Sequence, residues 1–205
     1  LLFFACACHG TSISNETCMQ FQTGTIVAHS PTIDAQMTWH HNCANASTTF
    51  VLSGFAPANG TGTSGWIGCG FIAADKFNST EFMSSTDLYL FTLNGSDVVF
   101  FNGIAANNTR PHAQPTPEPL IGSPSINRTA GDVMQVTFTR PWAAVDAAHA
   151  DLTAAPLRVL MARGVWSDNM FGYHHKNRTL VDNPGYMFEN APPTAAPTPA
   201  PTAVA

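Results

Sequence analysis

The 205-residue chain predicts an all-β sandwich, and three observations carry that expectation. Apolar, aromatic and β-branched residues fall in short runs. Gly, Asn, Pro and Ser separate those runs at frequent intervals, which is the punctuation of a chain that turns often. No stretch holds a helical period for more than two turns. With 44% hydrophobic residues the chain is long enough to bury one core, and 205 residues suit a single domain with tails.

Six strands follow in order. Thr48–Phe55 (TTFVLSGF) opens the series. Gly65–Phe71 (GWIGCGF) is apolar and glycine-rich. Asp87–Leu93 (DLYLFTL) places Leu88, Leu90 and Thr92 on one face and Tyr89, Phe91 and Leu93 on the other, so it reads as a strand buried on both sides. Asp97–Phe101 (DVVFF) follows after a Gly-Ser turn, then Val133–Arg140 (VMQVTFTR) and Pro156–Ala162 (PLRVLMA). Ala143 to Leu152 reads as one short helix or a turn. Many short strands joined in this way make a sandwich.

The flanks differ from this body. Residues 1–10 (LLFFACACHG) read as the remnant of a secretory signal, with Ala5 and Ala7 as the small residues of a cleavage site. Residues 191–205 (APPTAAPTPAPTAVA) read as an extended Pro/Thr-rich linker or stalk, because proline at that density builds no packed segment. The folded unit is then expected over residues 11–190. Eight N-x-S/T sequons, at Asn15, Asn45, Asn59, Asn78, Asn94, Asn107, Asn127 and Asn177, support passage through the secretory route and exposed positions for most of these asparagines. Secretion or display at the extracellular surface is the expected location. The cysteines fit an oxidising compartment. Cys69, inside the run WIGCGFI, reads as a small buried hydrophobe. Cys18 with Cys43 is the preferred disulfide, although spacing alone does not fix the pairing.

Charge and motifs narrow the function. Charged residues make up 10% of the chain and the formal net charge is −5, which argues against a nucleic-acid partner. The nucleophile-elbow, zincin, paired C-x-x-C and phosphate-loop patterns are all missing from the sequence. What remains is a thioether, Met83, and two imidazoles, His174 and His175, in the segment MFGYHHKNR. A thioether and an imidazole facing one another across an apolar pocket are an axial pair for haem iron. The pair His40-His41 beside Trp39 reads as a strand with one ring outward and one packed, in preference to a copper site shared with Met37. His29, His112 and His149 read as isolated and solvent-facing.

The ordered set Gly65–Phe71, Met83-Ser-Ser-Thr-Asp87, Phe138-Thr-Arg-Pro141, Val159-Leu-Met-Ala-Arg-Gly164 and Tyr173-His174 resembles the DOMON domain family over roughly residues 33 to 185. The resemblance is to its haem b-binding branch, which includes the cytochrome domain of cellobiose dehydrogenase. It implies an immunoglobulin-like β-sandwich holding one haem b between a Met and a His. It assigns Met83 and His174 as ligands to the metal, Asp87 to the start of the strand that fixes Met83, and Arg140 with Pro141 to the family's F-x-R-P turn. Neighbouring side chains on an extended backbone face opposite ways, so one histidine of the pair enters the pocket. The reading takes His174 as ligand and His175 as rim residue or propionate partner, with the reverse assignment open. Trp66, Phe71, Phe82, Tyr89 and Met161 are the candidate pocket wall. The implied activity is relay of single electrons, with a dehydrogenase or a membrane cytochrome b as redox partner, as an electron-transfer domain in preference to a catalyst on its own. The alternative is a haem-free DOMON module for carbohydrate binding or adhesion.

Overall fold

The computed structural model describes residues 18, 23–30, 33–55, 65–73, 76–77, 85–105, 112–113, 120–129, 132–147, 149–153, 157–167, 170–171 and 178–181. The expected signal remnant (1–10) and the Pro/Thr-rich tail (191–205) lie outside them. The described residues form an all-β sandwich of two antiparallel sheets.

The strands are β1 (Thr23–Ser30), β2 (Ile33–Asn42), β3 (Ser47–Phe55), β4 (Gly65–Ala73), β5 (Thr86–Asn94), β6 (Asp97–Ala105), β7 (His112–Ala113), β8 (Ser125–Thr129), β9 (Val133–Pro141), β10 (Leu157–Ser167), β11 (Met170–Phe171) and β12 (Arg178–Val181). One sheet runs β1-β2-β3-β9-β8. The other runs β11-β10-β4-β5-β6-β7, with β12 also pairing with β10. The chain therefore lays down three strands in the first sheet and four in the second, then returns. β9 comes back beside β3 and β10 beside β4, so each sheet is closed through its middle by partners far apart in sequence, as in the pairing of Thr49 with Thr139. All six strands read from the sequence are present, five with the same or slightly wider bounds and the sixth running from Leu157 to Ser167, with Pro156 outside the described residues.

Alternation sets the core. On β2, Ala35, Met37, Trp39 and His41 point inward, while Asp34, Gln36, His40 and Asn42 are exposed. Phe50 and Leu52 of β3 and Met134, Val136 and Phe138 of β9 face the same interior. From the second sheet they meet Ile67, Cys69 and Phe71 of β4, Tyr89 and Phe91 of β5, and Val159 and Met161 of β10. Aromatic rings cross the gap: Phe50 to Phe71 at 5.2 Å, Tyr89 to Phe138 at 5.3 Å and Phe91 to Phe138 at 5.0 Å between centroids. Each fully buried side chain of this size contributes about 1.5–3 kcal/mol relative to exposure.

β4 and β5 are buried on both faces. Their outer sides carry Trp66, Ile72, Leu88 and Leu90, and Trp66 and Leu90 form a second apolar cluster with Trp166, supported by Val99, Phe101, Ala162 and Phe171. Gly68 makes this outer packing possible, because a Cβ there would fall 2.5 Å from Leu90 Cδ2 and 2.7 Å from the Tyr89 carbonyl oxygen. The β5–β6 hairpin turns on Gly95, whose φ of 64° suits the first position of a two-residue loop.

The described residues of 142–147 and 149–153 run in turns and bends, not a helix, and the Leu152 amide donates to the Trp142 carbonyl at 2.9 Å. Cys18 and Cys43 form the expected disulfide, which ties a buried residue ahead of β1 to the β2–β3 turn with 5.9 Å between Cα atoms.

Gly68→Val is expected to lower stability by about 1–3 kcal/mol, since the Tyr89 carbonyl cannot step aside as a flexible side chain would. Urea denaturation of the variant checks this, and an unchanged midpoint would mean that the outer face of β4 is loosely covered.

Candidate functional site

The site is best approached from the end of the sandwich where β5 begins. Ser85, just ahead of that strand, adopts a left-handed conformation with φ of 61°, an uncommon state for a residue with a side chain. Two residues later Asp87 turns into the interior, fully buried. Its Oδ2 accepts from Arg140 Nη1 at 3.1 Å, from the Tyr89 hydroxyl at 3.1 Å and from the Ala150 amide at 3.4 Å, and its Oδ1 accepts from Asn102 Nδ2 at 3.1 Å. Arg140 is buried as completely. It donates through Nη2 to the Ala150 carbonyl at 2.7 Å and through Nε to the Pro141 carbonyl at 3.3 Å. Its guanidinium carbon lies 5.6 Å from the Tyr89 ring centroid and 5.9 Å from that of Phe71. One network thus joins β5 and β6 of one sheet, β9 of the other and the 142–153 segment.

A second polar group sits at the same end. His41 Nδ1 lies 2.7 Å from the Thr48 hydroxyl, which also accepts from Trp142 Nε1 at 3.0 Å. The His41 and Trp142 rings meet edge to face at 6.0 Å. His41 is therefore a satisfied core histidine, and His40 points to solvent, as the alternating reading of this pair expects. Among the described residues, no group of three His, Cys, Asp or Glu side chains is arranged to hold a metal ion. His149 corrects the sequence reading. It is buried, not solvent-facing, because Asp146 Oδ1 holds its Nδ1 at 2.8 Å and the neighbouring Ala150 is gripped by Arg140 and Asp87.

The expected ligands Met83, His174 and His175 and the wall residue Phe82 lie outside the described residues. Their sequence neighbours do not. Met83 stands two residues before Ser85 and four before Asp87. His174 stands three residues beyond Phe171, whose ring packs at 4.7 Å from Trp166 and 6.1 Å from Trp66. The remaining wall candidates do not share a surface. Trp66 belongs to the outer cluster of the seven-stranded sheet, whereas Phe71, Tyr89 and Met161 point the other way, into the core between the sheets. A single wall built from all four is corrected by strand parity: Trp66 and Phe71 are five apart on one strand and must face opposite sides. The described residues that do stand beside Trp66 are Leu90, Val99, Phe101, Ala162, Trp166 and Phe171.

The sequons divide similarly. Asn45, Asn94 and Asn127 are exposed, while Asn15, Asn59, Asn78, Asn107 and Asn177 are outside the described residues.

Cys69 is free and buried on the inner face of β4. Burial pushes its thiol far up, Asp87 adds to the effect, and Arg140 only partly opposes it. A thiol so held is neither a nucleophile nor a metal-binding thiolate.

No protein-family profile matches the chain, and no curated protein matches it. Among solved structures, the fold is similar to the cytochrome domain of Myriococcum thermophilum cellobiose dehydrogenase, with a TM-score of 0.54 and 12% sequence identity, covering 77% of this chain and 79% of that one. The likeness is one of fold.

The Cys69 thiol gives a signed pH prediction. The native state keeps this proton to higher pH than the unfolded chain, so the stabilisation is whole below the unfolded thiol's range and is lost as pH rises through it, at about 1.4 kcal/mol per pH unit above roughly pH 9. Cys69→Ala should flatten that alkaline decline in denaturation midpoints measured from pH 8 to 10.5. Equal slopes in the two proteins would contradict it.

Proposed function

We propose that this domain is an extracellular one-electron carrier of the DOMON type, holding haem b between Met83 and His174 against the outer face of the seven-stranded sheet. The observation that carries the reading is that face itself. In a two-sheet sandwich an outer face is ordinarily polar, yet here Trp66, Leu90 and Trp166 are buried on it, with Val99, Phe101 and Phe171 packed against them. A flat, apolar macrocycle suits such a surface.

Chain reach supports the pairing of ligands. β12 sets Arg178 opposite Ala162, Ala162 faces Gly68, and Gly68 faces Leu90. From Leu90 to Thr86 is four residues along β5, about 13 Å, and from β12 to β5 is three strand spacings, about 14 Å. The anchors Thr86 and Arg178 are therefore about 20 Å apart across the sheet, while Met83 and His174 stand three residues from Thr86 and four from Arg178, lengths of up to about 10 and 14 Å. These lengths let the two side chains meet provided the chain beyond Phe171, which pairs with Trp166, runs back toward the start of β5. The similarity of the fold to a cytochrome domain adds support of a different kind.

Haem b, when bound, supplies reversible one-electron chemistry at its iron. His174 and Met83 would supply the imidazole and the thioether that hold it, a donor pair that would raise its potential relative to two imidazoles. The outer apolar cluster excludes water. The Asp87–Arg140 network fixes the start of β5, the strand that follows Met83 in the sequence. A dehydrogenase or a membrane cytochrome b is the redox partner in this reading, and the Cys18–Cys43 disulfide fits secretion.

Protein produced in the secretory route and supplied with haem should show a sharp Soret band and resolved α and β bands on reduction. Met83→Ala should abolish the low-spin reduced spectrum, and His174→Ala should do so where His175→Ala does not. Colourless protein that takes up no haem would overturn the reading and favour the haem-free module.

A further inference from the structure

The dipeptide Asn-Gly occurs three times in the sequence, and the fold sets two of the three in opposite surroundings, with Asn59-Gly60 outside the described residues. Asn94-Gly95 closes the β5–β6 hairpin. Asn94 pairs with Asp97 at the last register position, so Gly95 stands in the loop beyond the ladder, and both Asn94 and Gly95 are exposed. A Cβ placed on Gly95 would meet nothing within 4 Å apart from its chain neighbours, so the main chain there is open from the side. Asn102-Gly103 lies further along β6. Asn102 is buried, and its Nδ2 donates to Asp87 Oδ1 at 3.1 Å and to the Leu88 carbonyl at 3.1 Å. Gly103 is held on both sides, by Leu88 of β5 and by Ala113 of β7.

From this contrast we infer that Asn94 is a site of spontaneous deamidation, a covalent modification that the fold permits there and blocks at Asn102. In this reaction the Gly95 amide nitrogen gives its proton to water or hydroxide and attacks Asn94 Cγ. The new N–C bond closes a cyclic succinimide, and the Cγ–Nδ2 bond breaks to release ammonia. Water then opens the ring at either carbonyl and leaves aspartate or isoaspartate, so nothing is oxidised or reduced. The attack needs a following residue with no Cβ in the way, a main-chain nitrogen not locked in a ladder, and room for the asparagine side chain to swing onto it. Gly95, its place in the loop and the exposure of Asn94 meet all of these. Asn102 meets only the first. Its amide is tied to a carboxylate that Arg140 also grips, so reaction there has to wait for the sheet to open. Conversion of Asn94 places a carboxylate opposite Asp97 across the closing pair of the hairpin, a like-charge contact that weakens it. Asn94 also opens the sequon Asn94-Gly95-Ser96, and a glycan is attached through the same Nδ2. With a sugar in place the leaving group is a bulky glycosylamine instead of ammonia, so glycosylation protects this amide. The inference is independent of the electron-carrier reading.

The test uses the full chain made in the secretory route, as wild type and as Ser96→Ala, which removes the sequon and leaves Asn94 and Gly95 in place. Both are incubated at mildly alkaline pH, folded and in guanidinium. Peptides are then mapped by mass spectrometry, with isoaspartyl methyltransferase labelling to mark isoaspartate. In folded Ser96→Ala, conversion at Asn94 should outrun that at Asn102 by about tenfold or more. In guanidinium the two rates should converge, because the difference belongs to the fold and not to the dipeptide. Peptides carrying a glycan at Asn94 should keep their amide, and the unglycosylated fraction of the wild type supplies the same comparison without a substitution. Equal rates at Asn94 and Asn102 in the folded protein, no conversion at either, a difference that persists undiminished in guanidinium, or conversion of glycosylated Asn94 at the unglycosylated rate would overturn the inference.

Discussion

A guanidinium and a carboxylate, both closed off from water, join the two sheets at the end where β5 begins. Taking two charges out of water is costly, and their attraction offsets that cost only when the remaining hydrogen-bonding capacity is also filled. Here it is filled from several directions. Asp87 gathers a phenol, an amide side chain, a backbone amide and the guanidinium, while Arg140 spends its other donors on the Ala150 and Pro141 carbonyls and lies near the rings of Phe71 and Tyr89. Such a group specifies geometry more than it adds stability. It fixes how β9 lies over β5, and it grips Ala150 beside the buried His149.

The two sheets then differ in what they can offer. The seven-stranded sheet is apolar on both sides at β4 and β5, and its outer face carries a second buried apolar cluster. The five-stranded sheet alternates, with β9 more and less buried in turn, and leaves a face rich in hydroxyls, which also carries Asp34, open to solvent. The two outer faces therefore differ in chemistry, one carrying a buried apolar cluster and the other hydroxyls open to solvent.

Much of this was legible in the sequence, for reasons that can be named. The six strands read in advance are those with dense apolar or β-branched content. β1 and β2 escaped because Gly24, Ala28, Ala35 and the histidine pair dilute their alternation. β7, β11 and β12 are edge pieces of two to four residues whose existence depends on the pairing partner, and β8 (SINRT) is mostly polar because it lies at a sheet edge. At the site, Asp87 and Arg140 were each noticed within a motif, but their mutual contact was not, since it spans 53 positions and two sheets. Asn102, alone among the apolar residues of β6, was the available signal for a buried polar partner. The pocket wall was misread for a physical reason: when both faces of a strand are buried, alternation no longer tells inside from outside, and Trp66 and Phe71 look alike.

The claim on which the account rests is that Asp87 and Arg140 act as one unit. A double-mutant cycle tests it most directly, with Asp87→Asn, Arg140→Gln and the combined variant compared by guanidinium denaturation. The account predicts that each single change costs about 3–5 kcal/mol, because it strands a buried charge, and that the combined variant loses less than the sum, by about 1–3 kcal/mol of coupling. Additive losses would contradict it, since they would mean that the two side chains are held separately and that nothing at this end of the sandwich depends on their meeting.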